Sequence, residues 1–197
     1  VVALGCESGI SKSEVSRICQ GLDTQVQAFL QRPLEFSHYP YVYLDATYLH
    51  GRDQARKQVI SRAVIVAVGI TANGQREVLG IEVGDSEDEA FWTAFLRRLR
   101  ERGLSGLQLV ISDAHAGLKK AIARCCQGSS WQRCRVHFAR NLLAKVPKGS
   151  QDMVAAALRS VFVQADAQAV EQQWDQVIAM LIEKFPAAAA LMEQARE

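Results

Sequence analysis

The sequence has 197 residues, a formal net charge of +2 and 49% hydrophobic residues, an ordinary composition for a globular domain. This length supports one well-packed domain with a small addition. No apolar run approaches the roughly 18 residues that a membrane-spanning helix needs, so we expect no membrane partner. The cysteines are odd in number and no basic segment precedes an apolar run near Val1. We therefore expect reduced thiols in a cytosolic compartment, and a chain cut from a longer one.

The first segment, residues 3–30, is predicted to be helical. Ser11 is a capping residue, and apolar residues after it recur on one face of the helix (Val15, Ile18 and Leu22). Residues 9–17 (GISKSEVSR) are typical of the turn and second helix of a helix-turn-helix, in which Arg17 would face DNA. The alternative is an ordinary amphipathic linker helix. Residues 32–40 have the composition of a linker.

A strand-rich block follows this linker. Strands are predicted over residues 41–48, 63–70 and 77–83, with Asn73-Gly74 as the two-residue turn between the last two. The middle strand is continuously apolar and β-branched, so we expect it to be buried on both faces. Acidic residues at 85–89 predict the start of a helix that runs to about Arg102, buries one apolar face and ends at Gly103.

The second half predicts a strand at 107–111, a helix at 116–126, a possible fifth strand at 131–136 and helices beyond Gln151. Core candidates in the last region are Val154, Leu158, Val161, Trp174, Ile178 and Leu181. Three antiparallel strands, a helix, a strand, a helix and a short strand form the order of a ribonuclease-H-like α/β fold. In that fold the first and fourth strands are neighbours in a mixed sheet with flanking helices.

Two aspartates, Asp45 and Asp113, come at the ends of the first and fourth apolar runs. A buried carboxylate is costly unless it is compensated, and a divalent cation is a common compensation. Neighbouring strands would bring the two carboxylates together, as Mg²⁺-dependent phosphoryl transfer requires. The alternatives are a strand-end Asp45 bonded to a turn, and Asp113 as a helix N-cap.

The stretch from Ala114 to Gln151 contains no Asp or Glu. Its cations are Lys119, Lys120, Arg124, Arg133, Arg135, Arg140, Lys145 and Lys148. A long run of one sign predicts contacts with nucleic-acid phosphates, and the alternative is a solvated helix face.

Within this stretch, Cys134 and His137 form a Cys-x-x-His pattern, shortly after Cys125 and Cys126. This pattern is compatible with a zinc site. However, its spacing differs from that of zinc fingers, and adjacent cysteines are poor paired ligands. We favour His137 as a group that contacts phosphate or orients the site.

Three motifs together resemble the Mutator-type bacterial insertion-sequence transposases of the DDE superfamily. They are residues 43–48 (YLDATY), 111–118 (ISDAHAGL) and 131–142 (WQRCRVHFARNL). The resemblance implies a ribonuclease-H-like catalytic core that cleaves and joins DNA with two Mg²⁺ or Mn²⁺ ions. It makes Asp45 and Asp113 the first two catalytic, metal-binding acids, and matches Cys134 and His137 to the family's Cys/Asp-x-x-His signature.

The resemblance also implies a domain order and partners. The expected divisions are 1–35 (DNA-binding helices), 36–149 (catalytic core) and 150–197 (start of a helical insertion domain), each incomplete. Partners would be double-stranded DNA at element ends and targets and further copies of the protein, in the bacterial cytoplasm near the nucleoid. Expected DNA-binding or site-organising residues are Arg17, Lys119, Lys120, Cys134, Arg135, His137 and Arg140.

The sequence departs from the family pattern at the third acid. The family carries a Glu in an Asn-Pro-x-Glu-Arg-like segment beyond the insertion domain, and no such segment occurs here. The glutamates Glu171, Glu183, Glu193 and Glu197 lie in other contexts, and we assign none of them. We therefore expect a fragment that is inactive alone. The alternatives are a non-catalytic DNA-binding product that competes with intact transposase, a ribonuclease-H-like nuclease, or a structural domain.

Overall fold

The computed structural model describes residues 10–34, 38–53 and 57–196. Their helices are α1 (Lys12–Gln31), α2 (Glu89–Glu101), α3 (Ala116–Cys125), α4 (Arg135–Leu143), α5 (Gln151–Val161), α6 (Ala167–Ile182) and α7 (Pro186–Glu193). Their strands are β1 (Tyr41–Asp53), β2 (Gln58–Ile70), β3 (Arg76–Gly84), β4 (Leu109–Ser112) and β5 (Ser130–Arg133). The chain divides between Gln132 and Arg133 into two compact units. The predicted functional division at 149/150 stays a prediction.

The strands form one mixed sheet in the order β3-β2-β1-β4-β5. Strand β2 lies antiparallel to both β1 and β3, and β4 lies parallel to β1. The predicted α/β architecture is confirmed, including the prediction that the first and fourth strands are neighbours.

The hydrophobic core of the first unit lies between the sheet and two helices, α2 and α3. Trp92 of α2 and Val110 of β4 are fully buried within it, and Leu118 and Ile122 bring α3 into the same cluster. Along β2, alternate residues are buried and the residues between them are half exposed. The expectation that β2 is buried on both faces is therefore wrong, because these helices cover only one of them.

Several predicted boundaries also change. Strands β1 and β2 extend beyond the predicted 41–48 and 63–70, because they continue to pair with each other as a long hairpin. The β2–β3 connection spans residues 71–75 rather than two residues, with Gly74 at φ +80° and a bond from the Thr71 N–H to the Gln75 carbonyl. The fifth strand ends at Arg133, since the chain enters α4 there, so the prediction for 134–136 is wrong.

The first helix begins later than predicted within the described residues. Ser11 caps α1 through a capping box with Glu14, which confirms its predicted capping role. The earlier part of the predicted helix, residues 3–9, lies outside the described residues.

The linker before the sheet is anchored to the core. Leu34 and Tyr39 are each 2% exposed, and the Leu34 N–H donates to the Arg102 carbonyl at 2.6 Å. The Tyr39 hydroxyl and the Arg32 guanidinium both donate to the Glu77 carboxylate, each at 2.7 Å. These bonds fix the linker against β3 and the end of α2.

The second unit is helical, as predicted for the region beyond Gln151. Phe138 of α4 stacks on Trp174 of α6, with the ring centroids 5.7 Å apart. The other predicted core residues are buried in the same cluster (Val154, Leu158, Val161, Ile178 and Leu181). This unit thus has a hydrophobic core of its own.

A substitution at Gly69 would test how tightly Tyr39 is packed against β2. A Cβ at position 69 would lie 2.5 Å from Tyr39 Cδ1 and 3.0 Å from Leu79 Cδ1, whereas a Cβ at Gly51 meets nothing within 4 Å. We expect Gly69→Ala to lower the free energy of unfolding by about 1–3 kcal/mol through overpacking. The matched strand variant Gly51→Ala should change it by about 0.5 kcal/mol or less. Urea unfolding of both variants measures this, and equal midpoints would contradict the packing.

The hydrogen bonds of Glu77 predict that the free energy of unfolding depends on pH. Its bonds with Arg32, chiefly, and Tyr39 hold the pKa of the Glu77 carboxyl below its usual value. The folded state therefore binds this proton more weakly than the unfolded state does. The stabilisation is complete above the ordinary pKa of about 4.3 and is lost as the pH falls through the lowered folded value. The difference in unfolding free energy between wild type and Glu77→Gln should shrink on acidification. A difference that is constant with pH would contradict this.

Candidate metal centre

The two predicted catalytic aspartates directly follow the paired residues of β1 and β4. The parallel register of β1 and β4 pairs Tyr41 with Leu109 and ends with Leu44 opposite Ser112. The next residues along the chain are Asp45, which is still within β1, and Asp113, which directly follows the end of β4. Neighbouring strands lie about 4.8 Å apart, and residues in register on parallel strands face the same side of a sheet. The register therefore supports the prediction that the two aspartates are neighbours, and metal binding by them remains a prediction.

Each carboxylate is oriented by the peptide that follows it. Asp45 Oδ1 accepts a hydrogen bond from the Ala46 N–H at 2.9 Å, and Asp113 Oδ1 accepts one from the Ala114 N–H at 2.7 Å. Asp45 is exposed and Asp113 is half-buried. These local bonds limit the rotation of both side chains, so the pair faces solvent in a restrained geometry.

Both structural alternatives for the aspartates are wrong. The N-cap of α3 is His115, so Asp113 does not cap that helix. Asp45 does not end its strand at a turn, since β1 continues to Asp53 and pairs Asp45 with Val66. Asp113 therefore does not act as a helix N-cap, and Asp45 does not end a strand.

Ser112 and Trp131 support the end of β4, a role that the sequence reasoning missed. The buried Ser112 hydroxyl donates to the Asp113 carbonyl at 2.8 Å and accepts from Trp131 Nε1 at 2.9 Å. Lys119 of α3 lies over the Trp131 ring, 4.3 Å from its centroid. The contact links the motifs at 111–118 and 131–142. A small polar residue directly before Asp113 was the only signal for it in the sequence.

The donor chemistry of the pair fits Mg²⁺ or Mn²⁺. Mg²⁺ usually keeps several waters and binds one or two carboxylates together with substrate phosphates. Across residues 10–34, 38–53 and 57–196, no group of three or more His, Cys, Asp or Glu side chains is placed to hold a metal ion. The two oxygen donors thus fit a partly hydrated ion, whose further ligands would be water or phosphate.

Two of the cysteines that raised the zinc alternative have other surroundings within the first unit. Cys126 is buried in the hydrophobic core of that unit. Burial raises the pKa of the Cys126 thiol to about 11, which disfavours the thiolate that zinc requires. Cys125 instead donates to the Thr93 carbonyl at 3.8 Å.

The basic stretch is divided between the two units. In the first, Lys120 and Arg124 lie 3.9 Å and 3.1 Å from the Glu89 carboxylate, a neutralising partner that the sequence reasoning missed. In the second, Arg135 lies over the Phe162 ring at 4.1 Å. Glu89 therefore neutralises part of the charge of this stretch in the first unit. Its contacts with DNA remain a prediction.

The remaining predicted site residues lie on helices. Arg17 is exposed on α1, and Arg140 is exposed on α4. Cys134 is the N-cap of α4, where its carbonyl accepts from the Phe138 N–H at 2.9 Å, and His137 is half-buried one turn along. The roles predicted for these residues are not tested by these positions. No described helix is long and apolar enough to cross a membrane.

Comparisons with known proteins identify the family. Residues 1–197 match the family described as "Transposase, Mutator family". The transposase of insertion sequence IS1081 from Mycobacterium tuberculosis is 45% identical over 95% of this chain and 45% of its own length. The transposase of IS256 in transposon Tn4001 from Staphylococcus aureus is 36% identical over 98% of this chain and 49% of its own length.

A solved structure of the Drosophila P element transposase strand transfer complex also matches, with a TM-score of 0.37 and 9% identity. This match covers 79% of the present chain and 48% of that one. The chain spans about half the length of the curated relatives it matches. The match over the whole sequence and the identities of the insertion-sequence relatives show that this chain belongs to the Mutator family of transposases.

Proposed function

We propose that the chain supplies two acids, Asp45 and Asp113, of a DDE-type centre that cleaves and joins DNA at the ends of an insertion sequence. The observation that supports this proposal is the parallel register of β1 and β4, which pairs the residues directly before the two aspartates, Leu44 and Ser112. Membership of the transposase family supplies the reaction class. The proposed cofactor is Mg²⁺ or Mn²⁺.

Within this proposal, the protein positions groups rather than forming a covalent bond with DNA. Bound divalent ions would lower the pKa of the attacking water or 3′-hydroxyl and stabilise the leaving oxygen. The chain would hold two carboxylates in register on adjacent strands, each restrained by the N–H of the next residue. Ser112 and Trp131 would keep Asp113 at this position by holding the end of β4.

A third protein ligand normally completes such a centre. Among the described acids, none joins Asp45 and Asp113 as a group of three. We therefore expect the chain alone to bind ions weakly and to cleave DNA poorly. The same observation favours a second candidate, a DNA-binding product that occupies transposase sites without cutting them. Metal-dependent nicking of duplex DNA by the purified chain would count against this second candidate.

The hypothesis that Asp45 and Asp113 bind the same ion is tested by titrating the chain with Mn²⁺ in a calorimeter. Mutating a residue that hydrogen-bonds to a metal ligand lowers metal affinity about 10–100-fold. Replacing a ligand itself should therefore lower the affinity at least about tenfold. We expect this loss in both Asp45→Asn and Asp113→Asn, because each removes a charge and keeps the side-chain shape. The control is Asp23→Asn on α1, which should bind as the wild type does. An effect of only one of the two variants would show that they share no ion.

DNA binding by the second unit is tested with a fluorescent duplex at several salt concentrations. Arg140 and Lys145 are exposed at the end of the basic stretch. Replacing both by Ala should reduce the salt slope of binding by about 2, since each phosphate contact contributes about 0.9. The control changes Arg159 and Lys184 to Ala, which removes the same charge from exposed positions of the same unit. Equal slopes in the two variants would contradict a specific phosphate contact.

A further inference from the structure

The hairpin of β1 and β2 continues beyond the sheet as a two-stranded ribbon. Strand β4 pairs with β1 only up to Leu44, and the pairing of β3 with β2 begins at Ala63. Residues 49–53 therefore pair with residues 58–62 and, in the part of the chain that the structure describes, with no other strand. We call these residues the β-ribbon. Five residue pairs at about 3.3 Å per residue give it a length of roughly 17 Å.

The β-ribbon exposes large apolar side chains. Leu49 is 57% exposed and Val59 is 68% exposed, and neither belongs to the hydrophobic core of the unit. Tyr48, where the β-ribbon leaves the sheet, is 46% exposed. A two-stranded hairpin is marginally stable in water, because it has no second layer to bury its side chains. This composition is expected of a ribbon that is covered by a partner.

The charge of this region indicates an anionic partner. From Ala46 to Arg62 the sequence contains four cations, Arg52, Arg56, Lys57 and Arg62, and one acid, Asp53. Arg62 also forms an ion pair with Asp85 at 2.7 Å, at the base of the β-ribbon. Lys57, at φ +52°, and Arg52 lie on the part that extends away from the sheet.

The dimensions of the β-ribbon fit a groove of duplex DNA. The major groove is about 12 Å wide and admits a two-stranded β-ribbon. Proteins with such ribbons combine cations that contact phosphate with exposed apolar side chains that contact bases or sugars. The β-ribbon is continuous with the candidate metal centre, since Asp45 lies on the same unbroken strand four residues before Leu49.

We propose that the β-ribbon binds in a groove of duplex DNA and holds that duplex beside Asp45 and Asp113. This inference rests on the proposed function, and it assigns a DNA-binding element that is separate from the basic stretch. Arg52 pairs with Val59, so these two side chains share one face of the β-ribbon, whereas Leu49 lies on the other face. Arg52 and Lys57 contact phosphates of the groove, and Val59 covers the sugars or bases beside them.

The first measurement compares charge variants of the whole chain. Arg52→Gln with Lys57→Asn removes two cations, and Asn tolerates the positive φ at position 57. The control, Arg97→Gln with Arg100→Gln, removes two exposed cations from α2. With a fluorescent 30-base-pair duplex, we expect the ribbon variant to bind about tenfold more weakly, with a salt slope lower by about 2. Equal losses in both variants would overturn the proposal.

The second measurement is amide hydrogen exchange of the wild-type chain with and without the duplex. Protection of residues 49–53 and 58–62 on adding DNA supports the proposal, and unchanged exchange in a chain that is bound to DNA overturns it. Absence of any binding to the duplex also overturns it. The proposed metal centre is judged separately by the Mn²⁺ titration, so the two failures are distinguishable.

A second copy of the chain is the other occupant to be tested. In that case the β-ribbon would be protected without DNA, and Val59→Ser would dissociate an oligomer that sedimentation detects in the wild type. This result would overturn the DNA assignment. A wild type that sediments as a monomer, together with protection of the β-ribbon only when duplex is present, supports it.

Discussion

The parallel pairing of β1 with β4 is the constraint on which the candidate centre depends. Asp45 and Asp113 are far apart in the sequence, and a register of four residue pairs joins the segments that directly precede them. A slip of one residue would turn one aspartate to the opposite face, because side chains alternate along a strand. The buried core beneath these strands opposes such a slip, since Val42, Leu44 and Val110 would lose their burial. Hydrophobic packing thus fixes the positions of two polar groups.

The hydrophobic core also fixes the positions of the helices and the linker around the sheet. Helices α2 and α3 cover one face, and the linker adds Leu34 and Tyr39 to the same cluster. The bonds from Tyr39 and Arg32 to Glu77 then hold the edge strand β3. The scaffold behind the candidate centre is therefore rigid where side chains interlock. The face that carries Asp45 stays accessible among the residues that the structure describes.

The strand order and the pairing of β1 with β4 could be predicted from the sequence, because alternation and turn residues are local signals that hydrophobic burial reinforces. The extent of β1 and β2 could not be predicted. The outer half of β1 contains His50, Gly51 and Arg52, which interrupt its apolar pattern, and the pairing with β2 holds this half in the strand. The Glu89 partner of Arg124 and the contact of Ser112 with Trp131 were likewise missed, since each joins residues from different elements.

The unbroken course of β1 limits how this region can vary in evolution. Asp45 and the β-ribbon lie on one strand with no loop between them, so their relative orientation depends on the number of residues that separate them. Inserting or deleting one residue between Asp45 and Arg52 would move one of them to the other face of the strand relative to its partner. A change of two residues would keep their original relative orientation. Viable homologues should therefore differ in this interval by even numbers of residues.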